Sequence, residues 1–154
     1  MKIQIREYIP SDREFILSLV SRFSEFELPE WREREEIDST NRTSMELALK
    51  SLHPDSAIYI AEDENGKPAG FIHLQTATDY FRNEKYGYIS DLAVDESFEG
   101  QGIGRLLLQT AEEWTHGNGY RLLALYVFAG NSHARKIYEK FGFQQEVIKY
   151  VKAA

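Results

Sequence analysis

The chain has 154 residues, no cysteine and a formal net charge of −7. Its length fits one domain, 1–154, with a substantial core, and the lack of cysteine excludes disulfides, thiol catalysis and thiolate-bound metal. The acidic balance argues against nonspecific nucleic-acid binding. With no apolar run of bilayer length and no signal-peptide pattern at Met1–Gln4, the expectation is a cytoplasmic protein with neither a nucleic-acid nor a membrane partner.

Lys2 to Arg6 alternates apolar and polar residues and reads as a strand. Ser11-Asp12-Arg13-Glu14 has the pattern of a capping box, followed by Phe15, Ile16, Leu19, Val20 and Phe23 at helical spacing. Leu28-Pro29 ends that region. The acidic run from Glu25 to Asp38 reads as a charged connection or short helix. Thr43-Ser44-Met45-Glu46 is a second capping-box pattern, opening a helix that His53-Pro54-Asp55 ends. Ala57 to Ala61 and Ala69 to Ala77 read as a hairpin joined at Asn65-Gly66. Asp79 to Lys85 is loop-like. Tyr86 to Val94 is the next strand, Gly102 to about Trp114 a long helix, and Arg121 to Phe128 a further strand. Ser132 to Lys140 is a helix with Asn131 as its cap, and Phe143 to Lys152 supplies one or two final strands. This order predicts a mixed α/β sheet of six or seven strands. Tyr86–Val94 and Arg121–Phe128 are joined through a helix and should be parallel neighbours.

The chemistry concentrates where the strand Tyr86–Val94 runs into the long helix. Glu99-Gly100-Gln101-Gly102-Ile103-Gly104-Arg105 places three glycines in five positions at a helix N-terminus. Free N–H groups and the helix dipole suit that turn to a phosphate or pyrophosphate, although a tight turn also needs glycine and can bind nothing. A nucleotide P-loop requires Gly-Lys-Ser/Thr, and Arg105-Leu106 follow instead. The dinucleotide fingerprint requires Gly-x-Gly-x-x-Gly and an acidic residue ending the next strand. Neither is present, because that strand runs into Ala129-Gly130-Asn131.

A second cluster lies beyond that next strand, in Asn131-Ser132-His133-Ala134 and on through Tyr138 to Gly142-Phe143. Together the two clusters resemble the GNAT superfamily of acetyl-CoA-dependent N-acetyltransferases. The signature Gln/Arg-x-x-Gly-x-Gly/Ala matches at Gly102 and Gly104. The signature Asn-x-x-Ala-x-x-x-Tyr-x-x-x-Gly-Phe matches at Asn131, Ala134, Tyr138, Gly142 and Phe143. The resemblance spans about residues 56–152. One departure stands out: Glu99 occupies the Gln/Arg position, and a carboxylate facing a pyrophosphate would repel it, so its side chain is expected to face solvent.

The resemblance implies a GNAT-like sheet whose two central parallel strands splay around acetyl-CoA, the co-substrate. Its pyrophosphate would sit on the amides from Gly100 through Gln101, Gly102, Ile103 and Gly104 to Arg105. Its pantetheine arm would pair with the backbone of Leu92 and Val94, and Asn131 would touch the cofactor. The implied reaction is direct attack of a primary amine of a small molecule or peptide on the thioester. Tyr138 is the implied acid for the departing thiolate, against a packing role on the helical face it shares with Ala134 and Phe141. For the base, Asp91 is the first candidate, although a strand carboxylate also pairs readily with a nearby Arg or Lys. Tyr88, Asp79, Tyr80 and a water chain are alternatives. His73 could face the site, but a lone strand histidine is more often structural. No group has metal-ligand spacing, so no metal is expected. Phe26, Trp31, Tyr80 and Phe81 could wall an acceptor pocket, and the glutamates from Glu25 to Asp38 could attract a cationic amine. The competing class is a catalytically silent acyl-CoA-binding or sensing module. Room is left for a homodimer.

Overall fold

A computed structural model describes residues 2–154, which leaves Met1 of the Met1–Gln4 start outside the described residues. The first strand, β1 (Gln4–Glu7), leads through a 3₁₀ turn at Pro10–Asp12 into α1 (Arg13–Ser18), and a second 3₁₀ segment follows at Val20–Ser24. Then come α2 (Arg34–Lys50), β2 (Ala57–Glu62), β3 (Pro68–Thr78) and β4 (Lys85–Val94). The chain continues with α3 (Ile103–Gly117), β5 (Leu123–Leu125) and α4 (Ser132–Phe141). The sheet has five strands in the order β1-β2-β3-β4-β5, antiparallel throughout except for the parallel pair β4–β5.

Strand alternation divides the core. On one face Ile58, Ile60, Phe71 and Ala93 meet Ile16, Leu17, Leu19 and Val20 of the first helical region and Met45 of α2. On the other, Ile72, Leu74 and Ile89 meet Ile103, Leu107, Leu108 and Ala111 of α3, with Tyr138 and Phe141 of α4 packed at the margin. β3 lies in the middle of the sheet and is covered on both faces, so six consecutive residues from Ala69 to Leu74 are buried. Polar residues on the outward faces need no partner, which is why the period-2 signal is clear in β1 and faint in β3.

Several expectations change. Neither capping-box pattern caps a helix. Asp12 accepts from the backbone N–H of Ile9 at 2.9 Å, and Glu14 pairs with Arg13 at 2.8 Å. Thr43 lies inside α2, where Glu46 instead pairs with Arg42 at 3.0 Å one turn back. The acidic run is partly connection and partly helix, since α2 begins at Arg34. β5 keeps three residues of the predicted Arg121–Phe128, because Tyr126 and the residues after it leave β4 and turn to solvent. The one or two strands expected in Phe143–Lys152 do not form. Val147, Ile148, Tyr150 and Val151 are exposed there, and the neighbouring edge of β5 is too short to template a long ladder. The sheet therefore has five strands rather than six or seven.

A partly buried ion network ties β1 to the first turn. Arg6 donates to both oxygens of Asp12 at 2.8 Å and to Glu62 Oε2 at 2.8 Å. Burial opposes ionisation of Asp12, but the bonds from Arg6 and Ile9 outweigh it and hold the carboxyl below its usual range. A carboxyl with a lowered folded pKa contributes stability above its unfolded pKa and loses it as pH falls through the folded one. Urea titrations should therefore show unfolding free energy dropping as pH goes below about 3.9, and Asp12→Asn should flatten that slope at a lower overall stability. An unchanged slope would remove Asp12 from the acid response.

Candidate active site

The pairing of β3 with β4 contains a bulge. His73 is the partner of Asp91, and Leu74 is the partner of Ile89, so Ser90 is the extra residue on β4. Asp91 and Ile89 are two apart and would share a face in a regular strand. The bulge separates them: Ile89 stays in the α3 core, while Asp91 turns to the side of Phe71 and Ala93. There its Oδ2 lies 2.9 Å from Nδ1 of His73, whose residue is only 4 % exposed. Gln75 Nε2 donates to the Ser90 hydroxyl at 2.9 Å and pins the bulge from the position two residues along β3 from His73. Tyr88 flanks this group. Burial first, then the charge of Asp91, pushes its phenol pKa up, and its ring lies 5.9 Å from that of Tyr126.

The same bulge begins a gap in the sheet. β4 and β5 are paired only from Gly87↔Leu123 to Ile89↔Leu125. From Asp91 to Val94, β4 has a ladder partner on its β3 side alone, with Leu92 opposite Ile72 and Val94 opposite Gly70. The backbone of Leu92 and Val94 thus carries polar groups toward the β5 side that a ligand can use, as an added strand would.

That edge runs straight into the glycine-rich turn. Gly100 has φ +76° and Gly102 φ +79°, both left-handed, as glycine alone adopts at no cost. Gly102 is the N-cap of α3 and no side chain caps the helix. The first intrahelical bond is donated by Leu106 to the Gly102 carbonyl at 3.1 Å, so the N–H groups of Ile103, Gly104 and Arg105 have no helical acceptor. A Cβ added at Gly100, Gly102 or Gly104 would meet no protein atom within 4 Å. The space over the turn is open, and its free amides and helix dipole suit an anionic group.

The remaining predicted residues fall around this path. Asn131 caps α4, its side chain accepting from the Ala134 N–H at 3.3 Å. Tyr138 is half-buried against the α3 core, with its ring 5.9 Å from Phe143, edge-on. Burial pushes its phenol pKa up, so it stays protonated at neutral pH. The Arg105 guanidinium lies over the Phe141 ring at 5.8 Å, which gives this side chain a packing role. Phe26 pairs with Phe128 at 5.5 Å. Tyr80 pairs with Phe81 at 5.3 Å in an exposed loop, so the four predicted aromatics are divided between two places. The loop before α2 comes close to the loop after β5. A Cβ at Gly130 would stand 2.5 Å from the Glu27 carbonyl oxygen.

Glu99 does not simply face solvent. It pairs with Arg22, whose side chain is 18 % exposed and also lies 3.4 Å from Glu25. A guanidinium from the 3₁₀ segment Val20–Ser24 thus stands beside position 99, where the family signature has Gln or Arg. Sequence reasoning missed Arg22, which lies 77 residues away from its partner. It missed the His73–Asp91 contact too, because that contact depends on the pairing register of β3 with β4. Two cavities, of about 560 and 400 Å³, lie away from the open path. One is lined by Ile5, Tyr59 and Trp114, the other by Thr115, Leu123 and Phe143. Among the described residues, no group of three His, Asp or Glu could hold a metal ion, and no helix is long and apolar enough to cross a membrane.

The comparisons with known proteins agree with this geometry. The family described as Acetyltransferase (GNAT) family matches residues 17–143. The YwnH protein of Bacillus subtilis (strain 168) is 34% identical over 98 residues, 62% of this chain and 58% of its own. This chain thus spans little more than half of YwnH. YhfO, an uncharacterized N-acetyltransferase of the same organism, is 27% identical over 144 residues, 94% of this chain and 91% of its own. A solved structure from Pyrococcus furiosus, described as an acetyl transferase, superposes with a TM-score of 0.76 at 24% identity, covering 99% of this chain and 100% of that one. The chain belongs to the acetyltransferase (GNAT) family, whose co-substrate is acetyl-CoA.

Proposed function

We propose that the protein is an N-acetyltransferase that moves the acetyl group of acetyl-CoA to a primary amine of a small molecule or peptide. The observation that carries this reading is the continuous path from the free edge of β4, Ser90–Val94, into the uncapped start of α3. Acetyl-CoA supplies an activated acetyl group as a thioester. The amides of Gly100, Gln101, Gly102, Ile103, Gly104 and Arg105 hold its diphosphate. The backbone of Leu92 and Val94 orients its arm, and Asn131 closes the path from the α4 side. As the amine nitrogen bonds to the acetyl carbon, Asp91 takes the amine proton. As the carbon–sulfur bond breaks, Tyr138 gives its phenolic proton to the sulfur. The acidic run from Glu25 to Asp38, whose Glu27 carbonyl lies close to Gly130, favours a cationic amine. Glu25 is less free to do so, being close to Arg22.

The test combines binding with turnover. CoA and acetyl-CoA at a hundredfold excess over Kd should raise stability by about 2.7 kcal/mol in a thermal unfolding assay, and NAD and ATP should not. Release of free thiol with a panel of amines then separates an enzyme from a silent binding module. Stabilisation by NAD equal to that by CoA would overturn the cofactor assignment. In the same assay Arg22→Gln should weaken CoA severalfold, because it leaves Glu99 uncompensated beside the diphosphate. Glu99→Gln added to that variant should restore the loss.

A further inference from the structure

We propose that His73 is the positioning residue of the base: its Nδ1–H holds Oδ2 of Asp91 and leaves Oδ1 directed to the acceptor amine. This rests on the acetyltransferase reading above. The two side chains meet across the β3–β4 bulge at 2.9 Å. The imidazole is almost fully buried, while the carboxylate of Asp91 keeps 21 % of its surface exposed. One end of the contact is therefore fixed in the core and the other is open to a ligand. A structural histidine with no other task would need only a partner for its N–H. Here the partner is the one carboxylate that the bulge turns out of the α3 core and onto the strand beside the cofactor path. Gln75 and Ser90 lock the same bulge from the neighbouring position, so the carboxylate has little freedom to swing. The titratable group that flanks Asp91 on its own strand is Tyr88, whose phenol pKa is pushed up by burial first and then by the charge of Asp91.

His73 moves no proton in this scheme. It acts through Asp91, which receives the proton of the attacking amine, while Tyr138 loses one to the departing sulfur. A base held in place reacts from a near-attack geometry, and losing that restraint costs about 10- to 100-fold in kcat. Acetyl-CoA affinity is not touched, because the diphosphate and arm contacts lie on backbone elsewhere.

The experiment compares His73→Phe with His73→Asn. Phenylalanine fills the volume and removes the donor. Asparagine places an N–H close to the position of Nδ1 and keeps it. The expected result is a kcat loss of about 10- to 100-fold for phenylalanine, recovery to within severalfold of native for asparagine, and unchanged acetyl-CoA Kd in both. His73→Phe added to Asp91→Asn should cost nothing further, since the restraint then has no base to hold. Equal activity of the two His73 variants, or multiplying losses in the double variant, would overturn the proposal. Nitrogen-15 NMR of the native protein gives a readout that needs no variant. Nδ1 should carry the proton in the neutral ring, and a bare Nδ1 facing Asp91 would overturn it equally. A native protein that binds CoA and releases no thiol with any amine would count against the function itself. Turnover that ignores His73 counts against this inference alone.

Discussion

Tyr138→Phe is expected to lower kcat by about 10²- to 10⁴-fold, the range for a lost general acid, with acetyl-CoA Kd little changed. The substitution keeps the ring, and with it the edge-on contact to Phe143 and the packing against the α3 core. It removes one hydroxyl. Burial raises that phenol above its ordinary value. A raised pKa keeps the proton in place across the working range, so a proton is always available as the thiolate departs. The same shift sets the sign of the pH response. On the alkaline side native turnover should fall where the phenol loses its proton, and the variant should lack that limb. Steady-state rates from pH 6 to 11, with acetyl-CoA saturating and chemistry rate-limiting, check both statements. A variant with native kcat would leave Tyr138 as packing, the role that its helical face with Ala134 and Phe141 offers equally well.

What could be read from the residue order was what depends on local spacing. The glycines at 100, 102 and 104, the Asn131 cap and the stripe from Ile103 to Ala111 each announce themselves within a dozen residues, and the structure places them where expected. What could not be read depends on pairing across the chain. Arg22 compensates Glu99 from a segment whose sequence shows only an amphipathic helix. The bulge at Ser90 reverses the facing of Asp91 relative to Ile89; its trace in the sequence is a slip of phase, with Ile89, Leu92 and Val94 all on the α3 side, but the contact with His73 depends on how β4 pairs with β3. The second capping-box pattern misled because Ser/Thr-x-x-Glu also arises in helix interiors, where the glutamate serves as a surface ion-pair partner, as Glu46 does for Arg42, while the first falls across the 3₁₀ turn Pro10–Asp12 that precedes α1. The stretch expected to form the final strands, Phe143–Lys152, has β-branched and aromatic residues at 147–151. A strand also needs an edge to pair with, and β5 offers three residues.

Asp91→Asn is the second large effect expected, and it separates a fixed base from removal of the proton by solvent. Asparagine has the shape of aspartate and can still meet His73 across the bulge, so the strand register and the diphosphate turn should stay intact. What it loses is the basic oxygen. kcat/KM for the amine should fall by about 10²- to 10⁴-fold near neutral pH. The deficit should shrink as pH rises, because a growing share of the amine arrives already deprotonated from bulk water. Removing the charge has a second consequence at a distance from the chemistry. Asp91 is one of the groups that raise the Tyr88 phenol pKa, after burial. Without it, Tyr88 should ionise at lower pH, which ultraviolet difference titration at the phenolate band can follow in the absence of any substrate. A lowered Tyr88 pKa together with native turnover would mean that the carboxylate sits where the structure puts it and is not the base. The proton would then leave through water along the gap between β4 and β5. A lowered pKa together with lost turnover, at unchanged acetyl-CoA affinity, assigns the base to Asp91, because the two readouts share a cause only if the ionised carboxylate lies beside both the phenol and the amine.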